Sequence, residues 1–301
     1  MSSFGVKVIR TAFGLAEHVA PRLAGHVAFE LFARTPDPEK MSPGEARAVE
    51  RAAGFMAEAR HHRIPSGRGC LAVHEFRPLD GRPFAGTVLV VHGWRSRTQF
   101  MKALIESYRN AGFRVVSLDL PGHGESSGRR LTLPAAVAAV RVAGDWFGPF
   151  AAVVGHSFGG AVAVNALAGS VAGIAPVDAA ALVLIAAPSS LPAVFDDFYR
   201  MLEIGPRTRA SVAARVKRLA GHPLESYDGI SQLALVPART LVVHAPDDRE
   251  VAADHASSYA RAGSHVALHW APGLGHRRIL ADPGVLRRAL DFLICEPVTA
   301  L

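Results

Sequence analysis

Three kinds of residue stand along this chain in an order that suits acyl transfer: a serine hydroxyl at Ser157, a carboxylate pair at Asp247-Asp248 and an imidazole at His276. A hydroxyl attacks a carbonyl only when a base removes its proton, and the imidazole that does so needs a carboxylate to hold its tautomer. Ser157 is the centre of Gly155-His156-Ser157-Phe158-Gly159. The apolar run Ala151–Val154 precedes it, and from Gly160 the sequence reads as an apolar helix. Strand, G-x-S-x-G and helix together are the context of a sharp turn that presents a nucleophile. Swinging the chain from strand to helix at one residue crowds its surroundings, and Gly155 and Gly159, lacking Cβ, avoid the clash. Ser157 then sits strained at the tip, with the Phe158 N–H aimed into the same space.

The other groups follow strand ends as well. The buried strand expected at Thr87–Val91 runs into His92-Gly93-Trp94. Gly93 permits a sharp turn that frees the Trp94 N–H, so Trp94 and Phe158 form a candidate two-donor oxyanion hole. The strand Thr240–His244 leads to the two carboxylates, and His265–Trp270 leads to Gly273-Leu274-Gly275-His276. Such loops are ordinary turns taken singly.

The positioning elements are strands alternating with helices. A helix starting at Ser42-Pro43-Gly44-Glu45, with a capping box and a proline at its first position, is expected to run to about Arg63. A first strand follows at Cys70–Phe76, then a turn through Asp80-Gly81. Beyond Thr87–Val91 come helix 100–110, strand 114–119, helix 134–147, the elbow, strand 180–186, strand 240–244, helix 251–261, strand 265–270 and helix 285–293. This alternation predicts an α/β fold, a mostly parallel sheet covered on both faces, with ligands beyond the carboxyl ends of its strands. Domain bounds are set at 1–66 for an N-terminal helical extension, 67–187 with 237–301 for the core, and 188–236 for a helical insertion.

Composition narrows the possible functions. The chain has 301 residues and a formal charge of +7, but its basic pairs are scattered and lack interleaved aromatics, which argues against nucleic acid. The weakly charged stretch from Trp146 to Phe195 is punctuated by glycine and proline and resolves into sheet centre rather than a bilayer span. Ile9, Phe13, Ala16, Ala20, Leu23, Val27 and Leu31 recur at helical spacing, with a kink at Pro21. That pattern reads as helices packed on the domain or on a dimer partner, or lying on a membrane surface. Glu17, His18 and Arg22 interrupt any signal-peptide core, and Cys70 and Cys295 are isolated, so the expected setting is reducing and cytoplasmic. No histidine cluster has metal-ligand spacing, and neither metal nor cofactor is expected.

Taken together, His92-Gly93-Trp94, Asp119-Leu120-Pro121-Gly122-His123-Gly124-Glu125-Ser126, Gly155–Gly160, His244–Val251 and Gly273–His276 resemble the α/β-hydrolase superfamily, specifically a serine esterase- or lipase-like member, over residues 70–295. The family pattern H-G-x-x-D-x-x-V, laid on His244–Val251, puts the acid at Asp248, with Ala245 where the family usually has glycine. The implied triad is Ser157, Asp248 and His276, while His92, His123 and His156 are implied to be loop residues. Relatives that open epoxides or remove halide carry aspartate at the elbow, so Ser157 points instead to an acyl-enzyme. The insertion 188–236 lies where the superfamily often carries a cap. Its Phe195, Phe198 and Tyr199 are candidate substrate contacts, favouring a small to medium apolar acyl or aryl ester. Asp196, Asp197 and Glu203 leave an amine-recognising peptidase or amidase open. The same residues are also compatible with a cofactor-free perhydrolase on this triad and with a non-catalytic binding protein.

Overall fold

The computed structural model describes residues 3–67, 69–79 and 81–294; Asp80 and Cys295 lie outside the described residues. Its elements run α1 (Ser3–Val19), α2 (Pro21–Ala33), α3 (Pro43–Ala57), β1 (Arg60–Ser66), β2 (Gly69–Phe76), β3 (Thr87–Val91), α4 (Lys102–Asn110), β4 (Arg114–Leu118) and α5 (Leu133–Phe147). Next come β5 (Ala152–His156), α6 (Phe158–Ala168), β6 (Ala181–Ile185), α7 (Leu191–Leu202), α8 (Pro206–Ala220) and α9 (Gly229–Leu233). The chain closes with β7 (Arg239–His244), α10 (Ala253–Ala260), β8 (Val266–Trp270), α11 (Gly275–Arg278) and α12 (Pro283–Ile294).

The eight strands form one sheet in the order β1-β2-β4-β3-β5-β6-β7-β8. The pairs β1–β2 and β2–β4 are antiparallel, and the others are parallel. Central strands are apolar on both faces because both are covered. In β3, Leu89 and Val91 enter one core with α5 and α6, while Val88 and Val90 enter the other with α3, α4 and α12. Strand periodicity divides one short run between two cores.

The N-terminal third differs from expectation at one point. The capping box at Ser42 and Glu45 is present, with both reciprocal hydrogen bonds, yet α3 stops at Ala57. Residues 60–66 form an edge strand instead of the helix end expected up to Arg63, so the extension assigned to 1–66 ends inside the sheet. Of Arg60–Ser66 only Ile64 is buried, so the backbone ladder to β2 rather than a hydrophobic face determines this strand.

The break before Pro21 separates α1 from α2 as anticipated. Both helices pack on the insertion. Phe13, Ala28 and Phe29 share a third apolar core with Phe195, Leu202, Val212 and Val216 of α7 and α8. Glu17 of α1 accepts hydrogen bonds from the Arg207 and Thr208 N–H groups at the start of α8, 2.7 and 3.0 Å away, where the helix leaves such donors unpaired. Burial works to raise the Glu17 pKa, but the Thr208 side chain first, and then these two backbone bonds, outweigh it and hold the carboxyl below its ordinary value. Among the described residues no helix is long and apolar enough to cross a membrane.

Candidate active site

Parallel register aligns the strand ends. Val91, Gly155, Leu184, Val242 and Leu268 form one row of paired residues across β3, β5, β6, β7 and β8. Trp94, Ser157, Asp248 and His276 all follow that row within eight residues, so their loops leave the same edge of the sheet.

Ser157 has φ 53° and ψ −128°, a conformation that L-residues seldom adopt, and it caps α6. The crowding around it is specific. A Cβ on Gly155 would stand 2.5 Å from Gly160 Cα. One on Gly159 would stand 2.3 Å from the Val91 carbonyl oxygen, so Gly159 is required by the neighbouring strand β3 rather than by Gly155 itself. A Cβ on Gly93 would come within 2.9 Å of Ser157 Cβ, which brings the Gly93-Trp94 turn against the nucleophile. That turn is clamped. His92 Nε2 accepts the Leu120 N–H at 3.0 Å, leaving the ring proton on Nδ1 to donate to the Gly93 carbonyl at 2.8 Å. Burial lowers the His92 pKa, in keeping with this neutral ring. Because Gly93 C=O and Trp94 N–H belong to one peptide, fixing the first fixes the second. Neither the Trp94 nor the Phe158 N–H bonds to another described residue. His123 braces the same turn from outside, its Nε2 accepting the Arg95 N–H at 3.1 Å, and burial brings its pKa down to about 4.

Asp248 and His276 are in direct contact. Asp248 Oδ2 accepts from His276 Nδ1 at 2.7 Å, and Asp248 Oδ1 accepts the Glu250 and Val251 N–H groups at 2.8 and 3.0 Å. Burial would raise the Asp248 pKa; the backbone bond from Val251 and the contact with His276 overcome it, and the pKa is lowered. Asp247 points elsewhere: its Oδ1 accepts the Gly273 N–H at 2.7 Å, tying the acid loop to the histidine loop. His156 donates from Nε2 to the His276 carbonyl at 3.0 Å and so holds the backbone of that loop. Burial lowers the pKa of His156 to about 3. Ser157 Oγ makes no hydrogen bond to another described residue, and the serine–histidine link is open in this structure. Such links tighten on substrate binding.

Ser157 opens onto a cavity of about 740 Å³ that Trp94, Phe158 and Asp248 also line. Phe195 and Phe198 line it. Tyr199 does not: its ring is buried in the third core under the Arg209 guanidinium, whose carbon lies 5.1 Å from the ring centroid. A neighbouring helical position points about 100° away, which separates Tyr199 from Phe198. One entire wall was not anticipated from sequence. Phe29, Phe32 and Arg34, at or just beyond α2, line the cavity, and Phe32 stacks on Phe195 with centroids 4.1 Å apart. The i, i+3 spacing of Phe29 and Phe32 marks an apolar face but not what it covers.

Known proteins resemble this chain in sequence or in fold. Thirty-six per cent of 78 residues are identical to caffeoylshikimate esterase of Arabidopsis thaliana, a match spanning 26% of this chain and 23% of that protein's length. Among solved structures, one described as a candidate lipase from Acinetobacter baumannii superposes with a TM-score of 0.61 at 16% identity, covering 85% of this chain and 97% of its own. Est1E from Butyrivibrio proteoclasticus, solved with ferulic acid, gives 0.56 at 17% identity, covering 77% and 96%. At these identities the two structures speak for the fold alone. The sequence pattern of the alpha/beta hydrolase family matches residues 88–289, from the strand before the Trp94 turn to the helix after His276. With the sheet order, the elbow and this match over more than half its length, the chain belongs to the α/β-hydrolase family.

Proposed function

We propose that this hydrolase cleaves carboxylic esters of small to medium apolar acyl or aryl groups through an acyl-enzyme on Ser157. The observation that carries the reading is the 2.7 Å bond from His276 to the buried Asp248, beside a strained Ser157 that opens onto an apolar cavity. Ser157 Oγ attacks the ester carbonyl while His276 Nε2 takes its proton, and Asp248 holds Nδ1–H and offsets the imidazolium charge. The oxyanion formed on the carbonyl oxygen is met by the Trp94 and Phe158 N–H groups, each worth about 3 kcal/mol in the transition state. Collapse expels the alcohol, which takes the proton from His276. Water then attacks the acyl-enzyme with His276 again as base, releasing the acid and restoring Ser157.

Two further points support an ester over an amide bearing a free amine. Asp197 is ion-paired with Arg200 on its own helix and Glu203 with Arg10 at 2.9 Å, while Asp196 is exposed and does not line the cavity, so none of the three stands ready for an amine there. The relative matched over 78 residues is by its name an esterase of an aryl acid. A fluorophosphonate probe should label Ser157, and Ser157→Ala should cut 4-nitrophenyl ester turnover by on the order of 10⁶. Undiminished turnover by a folded Ser157→Ala protein ends the proposal.

A further inference from the structure

One polar side chain on the cavity wall has no part in the reaction just described. His255, in the first turn of α10, lines the cavity beside Pro188, Leu191 and Val251 and is half-buried. Its Nδ1 lies 3.1 Å from the backbone N of Ser189 and 3.0 Å from Ser189 Oγ. A backbone N–H can only donate, so Nδ1 must present its lone pair rather than a proton. The same contact excludes the imidazolium, which would aim Nδ1–H at that N–H. Burial lowers the His255 pKa in the same direction, His244 adds to it, and Asp197 and Asp254 act against it. The ring therefore carries its single proton on Nε2. Nε2 bonds to no described residue and is not sealed from solvent. His255, on the cavity wall, is thus a neutral donor whose tautomer is fixed by a main-chain group 66 residues away.

Arg34 and Arg249 on the same wall are donors too, but charged ones, and the acids there are already paired. Glu250 pairs with Arg277 at 3.1 Å, and Asp197 pairs with Arg200. Only an acceptor satisfies Nε2–H, and an apolar arm lying over it would strip its water without replacing the bond.

We propose that His255 is a specificity determinant whose Nε2–H binds an acceptor oxygen on the acyl arm, so that the substrates are esters of apolar acids carrying an ether, carbonyl or phenolic oxygen remote from the scissile carbonyl. This rests on the ester-hydrolase reading above. The ring does not touch the reacting atoms; it selects among acids.

The test uses 4-nitrophenyl heptanoate and its isosteres in which an ether oxygen replaces one methylene at successive positions, each kcat/KM divided by that ester's rate with hydroxide. The whole chain should favour one oxygen position by roughly three- to tenfold, one neutral hydrogen bond's worth. His255→Phe should flatten the series. Ser189→Ala should keep it, because the Ser189 N–H remains. A flat series in the unaltered protein, or a preference that survives His255→Phe, overturns the proposal. Should His255→Phe not fold, ¹⁵N NMR of the unaltered protein decides: the Nε2-protonated tautomer is expected, and an Nδ1-protonated or cationic ring at pH 7 overturns it. Turnover of none of the esters would instead fell the ester-hydrolase reading. The dissociation constants of the matching free acids, measured by calorimetry, would then show the same positional preference if His255 acts as stated, and none if it does not.

Discussion

Two adjacent aspartates illustrate how finely a loop sorts its side chains. Asp248 meets His276 and two backbone N–H groups, whereas Asp247 accepts the Gly273 N–H. Asparagine at 248 keeps the volume but presents the imidazole with the wrong tautomer, an exchange that costs on the order of 10⁴ in turnover. At 247 an amide oxygen still accepts the Gly273 N–H. Asp248→Asn should therefore lose orders of magnitude in kcat and Asp247→Asn less than about tenfold, both read by steady-state kinetics on proteins matched for Tm. The nucleophile turn and the order of the chemical groups were visible in the sequence because each obeys a short-range rule: glycine where the chain crowds, and polar residues just past apolar runs. The His255–Ser189 contact was not visible, since it joins residues on different loops whose proximity arises only when the sheet assembles.

At the scale of elements, the same contrast explains what was found and what was missed. α3 announced its start through Ser42, Pro43 and Glu45. Nothing between Ala57 and Pro65 announced its end, and Arg60-His61-His62-Arg63 carries no alternation to mark a strand. An edge strand with one buried side chain is written in the backbone of its neighbour. Helix α7 shows the other limit, since its apolar residues were legible as a group while Phe198 and Tyr199 face different partners. Phe198→Ala and Phe32→Ala should shift acyl-chain preference toward longer or bulkier acids, whereas Tyr199→Phe should leave that preference in place, measured across 4-nitrophenyl esters of graded length. The Glu17 bridge adds a pH signature. Its pKa is lower folded than unfolded, so its contribution is present above the ordinary value near 4.5 and is lost as pH falls through the lowered folded value. Glu17→Gln should lower Tm at pH 7 by about 2 °C. The gap to the unaltered protein should close in acid below the ordinary value, and a gap that widens there would contradict the bridge.

Across the whole molecule, the sheet positions Ser157, Asp248 and His276, and a separate helical body supplies most of the enclosure. That body draws on both ends of a long stretch of sequence: α2 near the start and α8 nearly two hundred residues later meet in one apolar core over Ser157. On the proposed ester-hydrolase reading, selectivity is thereby uncoupled from the chemistry. Residues 21–34 belong to neither the elbow nor the acid loop, yet Phe29, Phe32 and Arg34 bound the cavity onto which Ser157 opens. Anything done to the leading segment of this protein, whether trimming it, fusing a tag to it or exchanging it for another amphipathic pair, amounts to recutting the cavity over Ser157 while the strands of the sheet stay as they were.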